Sequence, residues 1–196
     1  DGGAYADQVV NGDIHTHNQQ AAKLPSRDMA KTFIYGFLYG AGNAKIGEIV
    51  GKGPRAGAQL RKRFLSALPA LDKLSSKVAN KVKKEGYLVG LDERRLPIRS
   101  PHAALNTLLQ SAGAVIMKQA LVNFHEICRS HGLVHGEHYN QVLFVHDEIE
   151  VECLSEHAEF IGKTLVQAMQ KVTTDFDFKC PLDGEYQIGN TWADVH

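Results

Sequence analysis

The run Ser26–Gly40, SRDMAKTFIYGFLYG, restricts the fold more than any other stretch of the chain. Arg27, Lys31, Tyr35 and Tyr39 recur every four residues. On an α-helix at 3.6 residues per turn that interval stacks positions along one slowly drifting stripe. Pro25-Ser26 supplies a start signal, with Ser26 placed to cap the first turn, and Gly40-Ala41-Gly42 ends the helix. Two cations followed by two aromatics on one face suit a ligand with a polyanionic tail and a flat ring, such as a nucleoside triphosphate. The plainer alternative is a basic, partly solvated helix with tyrosines turned inward.

The surrounding sequence reads as helical in its first half, with glycine-rich breaks. An amphipathic segment opens at Asp13-Ile14-His15 and runs through Ala22. Residues 57–67 and 70–85 read as two further helices, the second carrying Lys73, Lys77, Lys81 and Lys84 as a cationic face suited to solvent or to a DNA backbone. Residues 86–99 read as a short hairpin with a polar turn near Asp92. Ser100-Pro101 then starts a long helix that reaches about Ser130 and stops at Gly132. The clearest strand signal lies between Gln141 and Cys153, where two apolar runs flank a polar tip. Ile161, Leu165, Ala168 and Val172 mark a last amphipathic helix.

Formal charge is zero over 196 residues, but it is unevenly spread. Residues 1–99 hold 17 Lys and Arg against 9 Asp and Glu, and the remainder carries the opposite excess. A basic half beside an acidic half suits a protein that grips phosphates with one part and a metal ion with the other. Cys128, Cys153 and Cys180 are too few and too scattered for a disulfide framework or a zinc site. Each is expected to be a buried small hydrophobe. No apolar run approaches the roughly 20 residues that cross a bilayer, so no membrane is expected as a partner.

Asp147 and Glu148 occupy the tip between the two strand runs. Adjacent carboxylates on a rigid turn can hold hard cations such as magnesium. Phosphoryl-type transfer uses two such ions about 3.5–4 Å apart, which needs a further carboxylate from elsewhere. Alone, an acidic turn is an ordinary hairpin feature. His102, Asn106 and Gln110 share a helix face, and Asn and Gln both donate and accept, which suits the acceptor pattern of a DNA minor groove.

Three motifs spread along nearly the whole chain carry a resemblance. Arg27-x3-Lys31-x3-Tyr35-Gly-x2-Tyr39-Gly resembles the nucleotide-binding helix in the fingers of family A DNA polymerases. Val145-His146-Asp147-Glu148 resembles the His-Asp-Glu palm motif, and His102-x3-Asn106-x3-Gln110 the primer-template contact helix. The resemblance implies an α+β chain with mostly helical fingers over residues 1–99 and the C-terminal part of a palm over 100–196, the latter an antiparallel hairpin packed on helices. It implies template-directed transfer of a deoxynucleotide to a primer 3′-hydroxyl, with primer-template DNA and dNTP as partners and the cytoplasm of a bacterial or phage-infected cell as location.

The resemblance also assigns roles. Arg27 would contact the outer phosphates of the nucleotide. Lys31 would contact the inner phosphates and protonate the pyrophosphate leaving group. Tyr35 would pack on sugar and base, and Tyr39 near the templating base. His15 matches a phosphate-contacting histidine of phage-like members. Arg99, His102, Asn106, Gln110 and His146 would contact DNA. Asp147 would be a catalytic metal ligand, with Glu148 a supporting carboxylate for Mg2+. Where other members carry Phe, Tyr35 here implies tolerance of dideoxynucleotides.

The family's first palm motif, Asp-x-Ser-x-x-Glu-x-Arg, is not found in these residues. It carries the other metal aspartate. The expectation is a chain inactive alone and completed by an N-terminal piece bearing that motif and the thumb, with an exposed palm surface that a second copy of the chain could also cover. The rival readings are a single-subunit RNA polymerase relative and a non-catalytic nucleic-acid-binding fragment. Near the C-terminus, Trp192 is expected to pack in the core.

Overall fold

A computed structural model describes residues 2–196. The chain is α+β and divides into two compact units, the first running to Ser111 and the second covering Ala112–His196.

In the first unit, α1 (Ala4–Val10), α2 (Ile14–Ala22), α3 (Arg27–Leu38), α4 (Asn43–Glu48), α5 (Pro54–Ala67) and α6 (Pro69–Glu85) follow one another. Four of these six starts have a local cause. Asp13 caps α2 by accepting from the His15 and Thr16 amides, Ser26 caps α3 by accepting from Met29 N, and α5 and α6 both begin on proline. The core is built around α3, whose inward residues Ala30, Phe33, Ile34 and Phe37 are buried. Phe33 and Phe37 meet Phe64 of α5 edge-on, with ring centroids 4.9 and 5.5 Å apart. A side chain at buried Gly57 would run into the Asn43 carbonyl, so α5 approaches α4 at backbone distance. A smaller cluster joins Val78 and Val82 of α6 to Leu88 and Ala104. Leu88 belongs to the short hairpin β1 (Tyr87–Val89) and β2 (Arg95–Pro97).

Helix α7 (Ala104–Ser130) follows a 3-10 turn at Pro101–Ala103 and continues from the first unit into the second. In the second unit the strands β3 (Tyr139–Val145) and β4 (Glu148–Cys153) pair antiparallel, with an irregularity between Gln141 and Leu143. Val142, at that bulge, is exposed, as is Val145. The two strands form a sheet of their own among the described residues. Helix α8 (Ala158–Asp175) buries Ile161, Ala168 and Val172. The core holds Phe124, Cys128, Leu133, Tyr139, Ile161 and Ala168. A polar pin crosses it. Fully buried Asn123 donates to the Ala168 carbonyl at 3.3 Å and to Asp175 at 2.7 Å, while Lys171 reaches Asn123 and Asp175.

The segments α1 and α4 carry no periodic apolar signal strong enough to be foreseen. Two expectations about single residues are corrected. Trp192 is 61% exposed, its ring stacking on His196 at 4.3 Å within a local turn instead of entering the core. Only Cys128 is buried; Cys153 and Cys180 are half-buried. No helix among the described residues is long and apolar enough to cross a membrane.

Candidate functional site

The outer face of α3 gathers the residues that the four-residue spacing aligned. Burial of Phe33 and Phe37 fixes the rotation of the helix, so Arg27, Lys31, Tyr35 and Tyr39 are left exposed on the opposite side. Tyr35 and Tyr39 stack with centroids 6.3 Å apart, and His15 of α2 lies 6.4 Å from the Tyr35 ring. The Nδ1 atom of His15 is buried without a hydrogen-bond partner among the described residues. The face therefore presents cations at one end and flat rings at the other.

Arg27 is held from the side. Its Nε and Nη2 donate to Asp13 Oδ2 and Oδ1 at 2.7 and 3.1 Å, a two-pronged ion pair. The same carboxylate accepts from the Thr16 hydroxyl at 2.7 Å. The Arg27 guanidinium, then the Thr16 hydroxyl, hold the Asp13 carboxyl far below the usual carboxylate range. Sequence reasoning missed Asp13 as a site residue. Its one visible signal was an Asp immediately before an amphipathic run, which marks a cap and nothing more.

His102 lies in the 3-10 turn that precedes α7, and Asn106 and Gln110 on the first two turns of α7, all within the first unit. His102 and Gln110 are exposed, while the Asn106 Oδ1 is buried without a partner among the described residues. A Cβ at Gly40 would lie 3.4 Å from the His102 carbonyl, so the start of this segment sits beside the end of α3. The positive φ of 76° at Gly40 turns the chain away just past the end of α3. Arg99 is exposed just before the Ser100 cap.

In the second unit His146 and Asp147 form the exposed two-residue turn of the β3–β4 hairpin, with His146 at a left-handed φ of 49°. Glu148 opens β4 and is clasped: His196 Nε2 lies 2.5 Å from its Oε1 and 3.8 Å from Glu150 Oε1. The ring of His196 is steadied by the Trp192 carbonyl at 3.0 Å from Nδ1. That carbonyl, and then Glu148, draw the His196 pKa upward. Glu148, Glu150 and His196 thus offer ligand atoms within 4.8 Å of one another, while Asp147 stands outside that group at the turn. Glu150 follows from strand alternation once Glu148 is placed. His196 lies 48 residues away and has no local signal. A cavity of about 720 Å³ lies beside this hairpin, bounded by β4, α8 and the segment from Glu185 to His196.

Comparison with known proteins identifies the family of the chain. Residues 6–194 match DNA polymerase family A. The whole chain is similar to the DNA-directed DNA polymerases of Escherichia phage T7, at 46% identity, and Enterobacteria phage T3, at 45%. It spans 30% of the length of each of these relatives. A DNA polymerase I of Bacillus caldotenax is 25% identical over 93% of the chain and 21% of its own length. The fold superposes on the polymerase domain of Pol1 from M. smegmatis, solved with DNA primer-template and dNTP, with a TM-score of 0.78 over 100% of this chain and 37% of that one, at 19% identity. With a family match that runs through α3, α7 and the β3–β4 hairpin alike, the chain belongs to DNA polymerase family A.

Proposed function

We propose that the chain supplies the fingers, over residues 1–99, and the C-terminal part of the palm, over 100–196, of a DNA-directed DNA polymerase that adds deoxynucleotides to a primer 3′-hydroxyl on a DNA template. The observation that carries the reading is the outer face of α3, where Arg27, Lys31, Tyr35 and Tyr39 stand exposed in one row with His15 beside Tyr35. Arg27 and His15 bind the outer phosphates of the incoming nucleotide. Lys31 binds nearer the reacting phosphate and gives its proton to departing pyrophosphate. Fixed cations there stabilise the charge that spreads over phosphate oxygens as the bond breaks. Tyr35 and Tyr39 supply flat surfaces for sugar and base. Arg99, His102, Asn106, Gln110 and His146 contact primer-template DNA.

The exposed Asp147 carboxylate and its neighbour Glu148 are hard oxygen donors of the kind Mg2+ prefers. A divalent ion held there would activate the attacking hydroxyl and neutralise phosphate charge. Asp147 is the ligand and Glu148 its support, the latter once released from His196. The second metal aspartate would come with the first palm motif, which is not found in these residues, on a polypeptide bearing that motif and the thumb.

The test is primer extension with magnesium, a primed template and four deoxynucleotides, using the chain alone and the chain mixed with that polypeptide. Extension only in the mixture, and none with Asp147→Ala, is the expected result. Extension by the chain alone would overturn the shared-site reading. DNA binding without extension in either case would favour a non-catalytic nucleic-acid-binding role.

A further inference from the structure

The Asp13–Arg27 pair is the one feature of the α3 face that the proposed chemistry does not itself require. A bare arginine would serve to attract phosphate. Instead, the carboxylate of Asp13 is fixed at the head of α2 by the His15 and Thr16 amides, at 3.1 and 3.4 Å, and by the Thr16 hydroxyl at 2.7 Å. It then takes Nε and Nη2 of Arg27 in a fork. Guanidinium has five N–H donors, so this grip leaves the others open to a ligand. Arg27 sits on the first turn of α3, and its side chain is 51% exposed. An unrestrained arginine there would sample many rotamers and lose that freedom on each binding event.

We infer that Asp13 is a positioning residue, which acts through Arg27 to hold one guanidinium orientation ready for the phosphate tail of a nucleotide. The inference rests on the nucleotide reading of the α3 face. Asp13 also couples two elements. It caps α2, and α2 carries His15 to the Tyr35 ring. One carboxylate therefore sets the approach of both phosphate-facing groups. A carboxylate placed as a competitor would act oppositely: it would occupy Arg27 until the nucleotide displaced it, and its loss would tighten binding.

Asp13→Asn separates these roles, because asparagine caps a helix about as well as aspartate but cannot form a charged two-pronged pair. The experiment uses the full chain with Arg27 followed by NMR of its Nε–H group, and Mg2+·dTTP titrated as the probe. Three variants are compared with the parent: Asp13→Asn, Arg27→Ala and the double variant. The parent should show a resolved, exchange-protected Arg27 Nε–H signal that is lost in Asp13→Asn. Affinity for dTTP should fall about tenfold in Asp13→Asn, in line with the cost of losing a preset orientation. The double variant should bind no more weakly than Arg27→Ala alone.

Tighter binding by Asp13→Asn overturns positioning in favour of competition. A loss that persists in the Arg27→Ala background assigns Asp13 a structural role only. An unchanged Nε–H signal in Asp13→Asn overturns the grip itself. If Arg27→Ala leaves dTTP affinity unchanged, or the parent shows none, the nucleotide reading of the face fails and the inference falls with it, while the Nε–H signal still reports separately whether Asp13 holds Arg27.

Discussion

The face of α3 and the tip of the β3–β4 hairpin are built on opposite plans. On α3 a cation is clamped by an acid; at the hairpin an acid is clamped by a histidine. The difference lies in what holds the clamp. Asp13 is locked into the cap of α2 by three hydrogen bonds, so Arg27 has a fixed partner. His196 instead belongs to a short turn near the C-terminus whose Trp192 is largely exposed, so the partner of Glu148 is held by local contacts alone. The backing differs as well. Behind α3 lies a wall of phenylalanines, whereas the core behind the hairpin is pinned by Asn123, Lys171 and Asp175. Under the proposed function, the cationic surface would receive the nucleotide and the acidic one the metal.

The sharpest way to break this comparison is at the acids. Asp147→Ala should cut extension by the complemented enzyme by about a thousandfold or more, since a lost metal ligand removes stabilisation from both reacting oxygens. Lys31→Ala should cost about a hundredfold, as a single electrostatic donor does. Steady-state extension rates decide it, and an Asp147→Ala enzyme faster than Lys31→Ala would reverse the proposed division of labour.

The cores should differ next. Phe64→Ala removes the ring on which Phe33 and Phe37 converge and should destabilise the first unit by about 3–5 kcal/mol. Asn123→Ala leaves the buried part of the Lys171–Asp175 pair under-satisfied and should cost about 1–3 kcal/mol. Urea unfolding followed by unit-specific NMR signals measures both. Equal losses would mean that the polar pin carries as much as the aromatic wall.

Alkaline pH should destabilise the second unit. Burial pushes the Cys128 thiol up to about 11 and the Tyr139 hydroxyl up to about 12. Both folded values are raised, so the stability they contribute is complete below the unfolded values and is lost as pH climbs through the folded ones. Urea midpoints for the second unit should fall between about pH 9 and about pH 12, and Cys128→Ala should remove part of that slope. A flat profile would mean that these groups stay solvated. Iodoacetamide should likewise label Cys128 last, because that thiol is buried and its burial disfavours the thiolate that reacts.

The smallest effect is expected at the start of α3. Ser26→Ala removes the cap to Met29 N and should cost about 1 kcal/mol with no change in the hydrogen bonds of Arg27. A loss of dTTP affinity larger than the loss of stability would show that the cap also aims the cationic face.

How much of this was legible in the sequence varies with chain separation. The row from Arg27 to Tyr39 was readable because helical neighbours are set by a fixed local period, and the buried phenylalanines in between confirm which side faces water. The hairpin was readable because apolar runs flanked a polar tip. Helix α4 was not, since its six residues depend on the glycine-lined contact with α5 instead of any periodicity of their own. Trp192 was misplaced because an indole is bulky and apolar by type, while its environment is a property of the packed chain.

By itself, then, the sequence determined the longer helices, the hairpins and the order of chemical groups along them, because caps, glycines and apolar periods act over a few residues. Only the tertiary structure decided that Asp13 grips Arg27 across 14 residues and that His196 closes on Glu148 across 48. Such pairs depend on how separate elements pack, and no spacing in the chain encodes the distance between two side chains that meet only after folding.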